Sequence, residues 1–166
     1  MWKAILSPDF FSTILRSATP ILFATLASAI AAKSGICNMA LEGIMLFSAL
    51  FGVIFSSLTH SAWLGLLITM VIGGLIGMIL AFFILNLKTD EILAAIAINL
   101  TATGGTVLIM VAFSGDRGVS SSIRSVSAPT VTLPLIEKIP FIGSVLSGQN
   151  VLTWLAILAV ILLHLF

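Results

Sequence analysis

Residues 62–87 contain no Asp, Glu, Lys or Arg, and almost all of their side chains are apolar. As a helix this run would be about 39 Å long, because a helix rises about 1.5 Å per residue. That length exceeds the roughly 30 Å of hydrocarbon in a bilayer. The whole chain is 60% hydrophobic and 8% charged, against about 45–50% and 25% in soluble domains. We therefore expect an integral membrane protein.

Four other stretches of the chain have the same apolar character. None of them shows the ten-residue alternation of a transmembrane barrel strand, so helices are expected. The sequence predicts an all-α fold, a polytopic transmembrane helix bundle of about five spans within a single membrane domain, 1–166. The four other stretches are residues 10–32, 36–59, 92–113 and 151–166.

The last of these stretches is short for a span. Residues 151–166 would form about 24 Å of helix, and no polar loop or basic anchor follows them. A helix that stopped inside lipid would leave its last carbonyl groups without partners. We therefore expect the fifth span to be incomplete and the chain to be a C-terminally truncated fragment of a longer protein.

The basic residues of the short loops predict the orientation. Lys33 follows the first stretch and Lys88 follows the third, whereas the connection at His60 has no Lys or Arg. The positive-inside rule places Lys33 and Lys88 in the cytoplasm and the N-terminus outside, although Lys3 favours the opposite arrangement. Residues 114–150 then form a long extracytoplasmic loop.

The ionisable residues exclude several classes of function. Seven Lys and Arg against six Asp and Glu leave a net charge of +1, which is not the basic footprint of a nucleic-acid binder. Cys37, His60 and His164 lie too far apart in the sequence to suggest a metal site. No G-x-x-x-x-G-K-[ST] loop occurs, so any ATP would be hydrolysed by another subunit. No catalytic set can be assembled, and we do not expect an enzyme.

Polar groups at membrane depth are costly, which makes them the best candidates for a solute pathway. Gly35 and Gly43 bracket a predicted helix break that carries Asn38, and Glu42 follows Asn38 by four residues. On any helix that forms there, Asn38 and Glu42 would share one face. Broken helices are typical of transporter sites. A plain cytoplasmic turn would explain the same residues, and the sequence leaves both interpretations open.

Two further patterns lie on helical faces. Gly73 and Gly77 form a G-x-x-x-G motif, which lets another helix approach closely. Asn99, Thr103 and Thr106 recur at i, i+4 and i+7 on one face of the fourth span. Such a face suits either a polar pathway or hydrogen bonds between helices, which contribute about 0.6 kcal/mol each.

Several short motifs together resemble one known family. The most specific is the break itself, GICNMALEGIM at residues 35–45. The others are Ala18-Thr19-Pro20, Thr89-Asp90-Glu91-Ile92, Ala97-Ile98-Asn99-Leu100, Leu133-Pro134-Leu135 and Ile139-Pro140-Phe141-Ile142-Gly143. The chain resembles, over about residues 12–166, the membrane-spanning permease of bacterial ABC importers for nucleosides and simple sugars, within the branched-chain amino acid and ribose permease superfamily. It departs from the family at Ala40, usually glycine, and at residues 94–95, where two alanines replace a pattern of small residues and glycine.

The resemblance implies a transport subunit of the bacterial plasma membrane. An extracytoplasmic solute-binding lipoprotein would deliver a nucleoside or simple sugar to two permease chains, identical or paralogous. Two cytoplasmic ABC ATPase subunits would hydrolyse ATP, so this chain would bind no cofactor of its own. The candidate residues of the substrate pathway are Asn38, Glu42, Asn99 and Thr103.

One alternative uses the same residues. A small homo-oligomeric channel or ion-coupled secondary transporter would bind a proton at Glu42 and associate through Gly73 and Gly77. The gene beyond codon 166 distinguishes the two hypotheses. A basic loop, further spans and a neighbouring Walker-type ATPase gene favour the permease, whereas a stop codon without such a neighbour favours the channel.

Overall fold

The computed structural model describes residues 7–115, 123–126, 129–131 and 148–165. Within them the chain forms five helices and one pair of two-residue strands. The helices are α1 (Pro8–Lys33), α2 (Leu41–Thr59), α3 (Ala62–Leu85), α4 (Glu91–Ser114) and α5 (Val151–Leu165), and the strands are β1 (Thr130–Val131) and β2 (Gln149–Asn150). Most of the predicted outer loop, residues 114–150, lies outside the described residues.

Four of the helices are long and apolar enough to cross a membrane: Phe10–Lys33 within α1, and the whole of α2, α3 and α4. The fifth, α5, is apolar but shorter. On α3, Met70 is 66% exposed and Met78 is 70% exposed, a surface suited to lipid rather than water. The prediction of a polytopic helical membrane protein is thus confirmed. The second span begins at Leu41 rather than residue 36, because a non-helical segment precedes it.

The chain divides into two compact units. The first comprises Met1–Ile30 and Ala128–Phe166, and the second comprises Ala31–Ser127. In the first unit, β1 and β2 pair antiparallel just before α5. The side chains of Thr19 on α1 and Thr153 on α5 are buried and share a hydrogen bond of 3.1 Å between their hydroxyl oxygens. Polar pairing therefore contributes to the contact between α1 and α5.

In the second unit, small residues bring α2 and α3 together. A Cβ atom on Gly65 would lie 2.7 Å from the Cβ of Ser56 and 2.9 Å from the carbonyl oxygen of Gly52. One on Gly73 would lie 3.0 Å from the Oγ of Ser48. The α2 residues of this contact are Ser48, Gly52 and Ser56, and the α3 residues are Gly65, Thr69 and Gly73. Each set repeats every four residues, so each forms one stripe along its helix.

This contact includes one of the two glycines of the G-x-x-x-G motif. Gly73 lies on the α2–α3 contact, but a Cβ on Gly77 would have no described atom within 4 Å. Four residues along a helix turn through about 400°, so Gly77 remains near the same face as Gly73. Gly77 itself nevertheless makes no close contact with α2.

Candidate functional site

The candidate site is the non-helical segment between α1 and α2, residues 34–40, which we call the break. Gly35 has φ +83, a left-handed conformation that glycine adopts without steric cost. The N–H groups of Gly35 and Ile36 donate to the carbonyl oxygens of Ala32 and Ala31 at 3.1 and 3.2 Å, which closes the end of α1. The sequence also assigned Gly43 to the break. The structure instead places Gly43 in the first turn of α2.

The break is attached to α4 by two side chains. The Glu91 carboxylate accepts a hydrogen bond from the N–H of Cys37 at 3.1 Å. The Asn99 side chain donates from Nδ2 to the carbonyl oxygen of Met39 at 3.0 Å and accepts at Oδ1 from the N–H of Gly43 at 2.8 Å. Glu91 and Asn99 are eight residues apart, or just over two helical turns, so both lie on the side of α4 that faces the break.

Small residues between these two anchors allow the close approach. Ala40 is 0% exposed, and it clusters with Ala94, Ala95 and Leu80. Larger side chains at these alanines would push the backbone of the break away from α4 and lengthen the hydrogen bonds of Asn99. Ala40, Ala94 and Ala95 therefore lie together at one contact.

Asn99 takes the role that an N-cap residue of α2 would normally have. The first four N–H groups of a helix lack partners within it, and the N-cap residue Ala40 supplies no side-chain bond. The Asn99 amide satisfies the N–H of Gly43 from another helix. A Cβ on Gly43 would lie 2.8 Å from Asn99 Oδ1 and 3.1 Å from its Cα. Glycine at position 43 therefore makes this contact possible.

Asn38 and Glu42 do not share a helical face. Asn38 precedes α2, and its Oδ1 accepts a hydrogen bond from the N–H of Ala40 at 3.1 Å, a local bond that shapes the break. Glu42 lies in the first turn of α2 and is exposed. A negative charge there interacts favourably with the helix dipole. Of the two, Glu42 is exposed and Asn38 is partly buried.

The predicted polar face of α4 serves mainly its own helix. The Thr103 hydroxyl donates to the carbonyl oxygen of Asn99 at 2.8 Å, and the Thr106 hydroxyl donates to that of Ala102 at 2.7 Å. Asn99 is the member of the three whose side chain bonds to a different helix. Asn99 therefore forms a hydrogen bond between helices, to the N–H of Gly43 on α2.

An open cavity of about 720 Å³ lies beside the break. Asp90 forms one wall, and its carboxylate caps α4 by accepting from the N–H groups of Ile92 and Leu93 at 2.9 and 3.1 Å. The cavity lining combines both signs of charge with apolar groups: Cys37, Met39, Ile84, Lys88, Thr89, Asp90, Glu91 and Ile92. Among the residues that the structure describes, no three His, Cys, Asp or Glu are grouped for a metal ion.

Glu91 was not among the candidate residues from the sequence. Its position after the cap residue Asp90 predicts the start of a helix. Nothing in that pattern indicates that its carboxylate reaches a backbone N–H 54 residues earlier in the chain. The α2–α3 stripes were also missed, although their spacing of four residues was visible in the sequence.

Comparison with known proteins decides the family. The sequence model described as "Branched-chain amino acid transport system / permease component" matches residues 10–166. The chain belongs to this family. The matched residues include the break. The candidate site therefore lies in the part of the chain that matches the family.

Three curated relatives agree with the assignment. A putative glucose ABC transporter permease of Haloferax volcanii is 29% identical over 88% of the chain and 44% of the relative. A nucleoside ABC transporter permease of Lactococcus lactis is 29% identical over 91% and 49%. A guanosine ABC transporter permease of Bacillus subtilis is 28% identical over 77% and 41%. The chain thus spans less than half the length of these relatives. No solved structure gave a significant match.

Proposed function

We propose that this chain is part of the membrane-spanning permease of an ATP-driven ABC importer that translocates a nucleoside or a simple sugar. The observation that carries the proposal is the family match over residues 10–166. The relatives are named as permeases for glucose, nucleosides and guanosine, and these solutes share ring hydroxyl groups. A polar solute of this kind needs hydrogen-bonding groups along its route through the lipid.

The break supports a role in the pathway for Glu42 more than for the other candidates. Asn38 and Asn99 form hydrogen bonds with the backbone and are only partly exposed, whereas Glu42 is exposed. Thr103 is exposed as well, but its hydroxyl donates to the carbonyl oxygen of Asn99. A carboxylate can accept hydrogen bonds from the hydroxyl groups of a sugar or ribose. We place Glu42 at the pathway, with Asn38, Asn99 and Thr103 shaping the backbone around it.

The importer needs partners that this chain does not supply. A second permease chain, the same or a paralogue, would complete the pathway. Cytoplasmic ABC ATPase subunits would bind and hydrolyse ATP, and an extracytoplasmic solute-binding lipoprotein would deliver the solute. The chain itself would bind no cofactor and catalyse no reaction. The alternation between inward-open and outward-open states would follow ATP binding and hydrolysis in the partner.

Uptake of labelled guanosine, uridine and glucose tests the proposal. Cells that express the full-length protein with its partners should show saturable uptake of at least one of these solutes. Replacing the Walker lysine of the ATPase should abolish that uptake, and a protonophore should leave it intact over a short assay. Uptake that survives the ATPase mutation and disappears with the protonophore would support the ion-coupled alternative. Glu42→Ala should lower uptake about tenfold at an unchanged membrane level.

The orientation is a separate proposal: plasma membrane, with the N-terminus outside and the break in the cytoplasm. Cys37 is exposed and is the one cysteine of the chain. In intact cells, a membrane-impermeant maleimide should leave Cys37 unlabelled, and lysis should expose it. In a Cys37→Ser background, Ser121→Cys should be labelled in intact cells. The reverse result for the two positions would invert the topology.

A further inference from the structure

We infer that Asn99 is a positioning residue that makes the break, the first turn of α2 and the N-terminal half of α4 move as one body. The observation is a single side chain with two bonds to different parts of the backbone. Its Nδ2 donates to Met39 within the break, and its Oδ1 accepts from Gly43 within α2. The consequence of this inference for transport rests on the proposed function. The attachment of the break and α2 to α4 through Asn99 does not depend on it.

Local residues of α2 cannot replace this attachment. The N-cap residue Ala40 has φ −85 and ψ 5, outside the extended conformation from which an N-cap side chain normally reaches the third N–H of the helix. Ala40 is also fully buried, so a longer capping side chain has no room there. The first turn of α2 therefore depends on a group from α4.

The packing agrees with this rigid attachment. Glu91 holds the middle of the break at Cys37, Asn99 holds its end at Met39, and Ala40 clusters with Ala94 and Ala95 of α4. Two anchors about 12 Å apart along α4 prevent the break from rotating about either one. Glu42, next to Gly43, is then held in a fixed position relative to α4.

Hydrogen exchange of the Gly43 amide tests the attachment in the full-length protein. Asn99→Leu removes both bonds of the side chain, and we expect exchange at Gly43 to rise roughly tenfold. Asn99→Asp keeps an acceptor for the Gly43 N–H but cannot donate to Met39, so Gly43 should exchange close to the wild-type rate. Thr101→Val is the control, since the Thr101 hydroxyl bonds only to the carbonyl oxygen of Ala97 in its own helix.

Unchanged exchange at Gly43 in Asn99→Leu, or an equal rise in Thr101→Val, would overturn the attachment. If Asn99→Leu fails to reach the membrane, exchange at Gly43 in Asn99→Asp still tests the attachment. Exchange at Gly43 as fast as in the unfolded chain would then show that Oδ1 does not hold that amide.

Uptake kinetics test the consequence for transport. Because Asn99 bonds to the backbone, we expect Asn99→Leu to lower the maximal rate about tenfold and to leave KM within about twofold of the wild type. A raised KM with an unchanged maximal rate would show that Asn99 contacts the solute, which would overturn the positioning role. If the wild-type protein takes up no nucleoside or sugar, the proposed function fails, while the exchange result still decides the attachment.

Discussion

Gly65→Ala is expected to weaken the pairing of α2 and α3 and to lower the melting temperature of the purified protein by roughly 2–4 °C. Alanine has the higher helix propensity by about 1 kcal/mol. That gain is outweighed because the new Cβ would lie 2.7 Å from the Cβ of Ser56 and 2.9 Å from the carbonyl oxygen of Gly52. A backbone oxygen cannot rotate away, so the helices must separate.

Gly77→Ala is the matched control on the same helix. Its Cβ would meet no described atom within 4 Å, so only the propensity gain remains and the melting temperature should stay the same or rise. Thermal unfolding of both variants in detergent, followed by tryptophan fluorescence, gives the comparison. Equal melting temperatures for the two variants would show that the α2–α3 contact is not formed as described.

Gly43→Ala is expected to lower uptake about tenfold while the protein still reaches the membrane. The added Cβ would lie 2.8 Å from Asn99 Oδ1 and 3.1 Å from Asn99 Cα, so α2 and α4 must move apart. The bonds of Asn99 to Met39 and Gly43 would then lengthen, at a cost of about 1 kcal/mol each. The α2–α3 contact lies further along α2 and is untouched, so the loss should be local.

The control for this variant is Gly104→Ala on α4, where an added Cβ meets nothing within 4 Å among the described residues. Initial rates of solute uptake, normalised to the amount of protein in the membrane, are the measurement. Wild-type uptake by Gly43→Ala would contradict the close approach of α2 and α4. Equal losses in both variants would indicate a general effect of replacing glycine rather than an effect of this contact.

The glycines show how much of the helix packing could be predicted from the sequence. In the structure, Gly73 of the G-x-x-x-G motif lies on the α2–α3 contact and Gly77 does not, whereas Gly52 and Gly65, which the motif does not include, lie on it. Each of the first four spans contains small residues at intervals of four, so spacing alone predicts several possible stripes. The choice among them depends on which helix lies alongside and where that contact ends, and local sequence contains neither fact.

Asn99 illustrates the same limit for the site. The sequence singled it out as a costly polar group in a span and offered two roles, a pathway or a bond between helices. In the structure, its side chain has hydrogen-bond partners at positions 39 and 43. A bond between residues about 60 positions apart forms only when the intervening helices fold back, so no local pattern could have decided it.

By itself, the sequence determined that the chain lies in a membrane, how many apolar helices it forms, and that the first of them ends near Gly35. Those properties follow from the length of apolar runs and from the backbone freedom of Gly35, both of which act locally. The tertiary structure alone decided which small residues touch and which polar side chains hold the break to α4. Those contacts depend on the relative placement of α2, α3 and α4, which arises from packing summed over many residues rather than from any one segment.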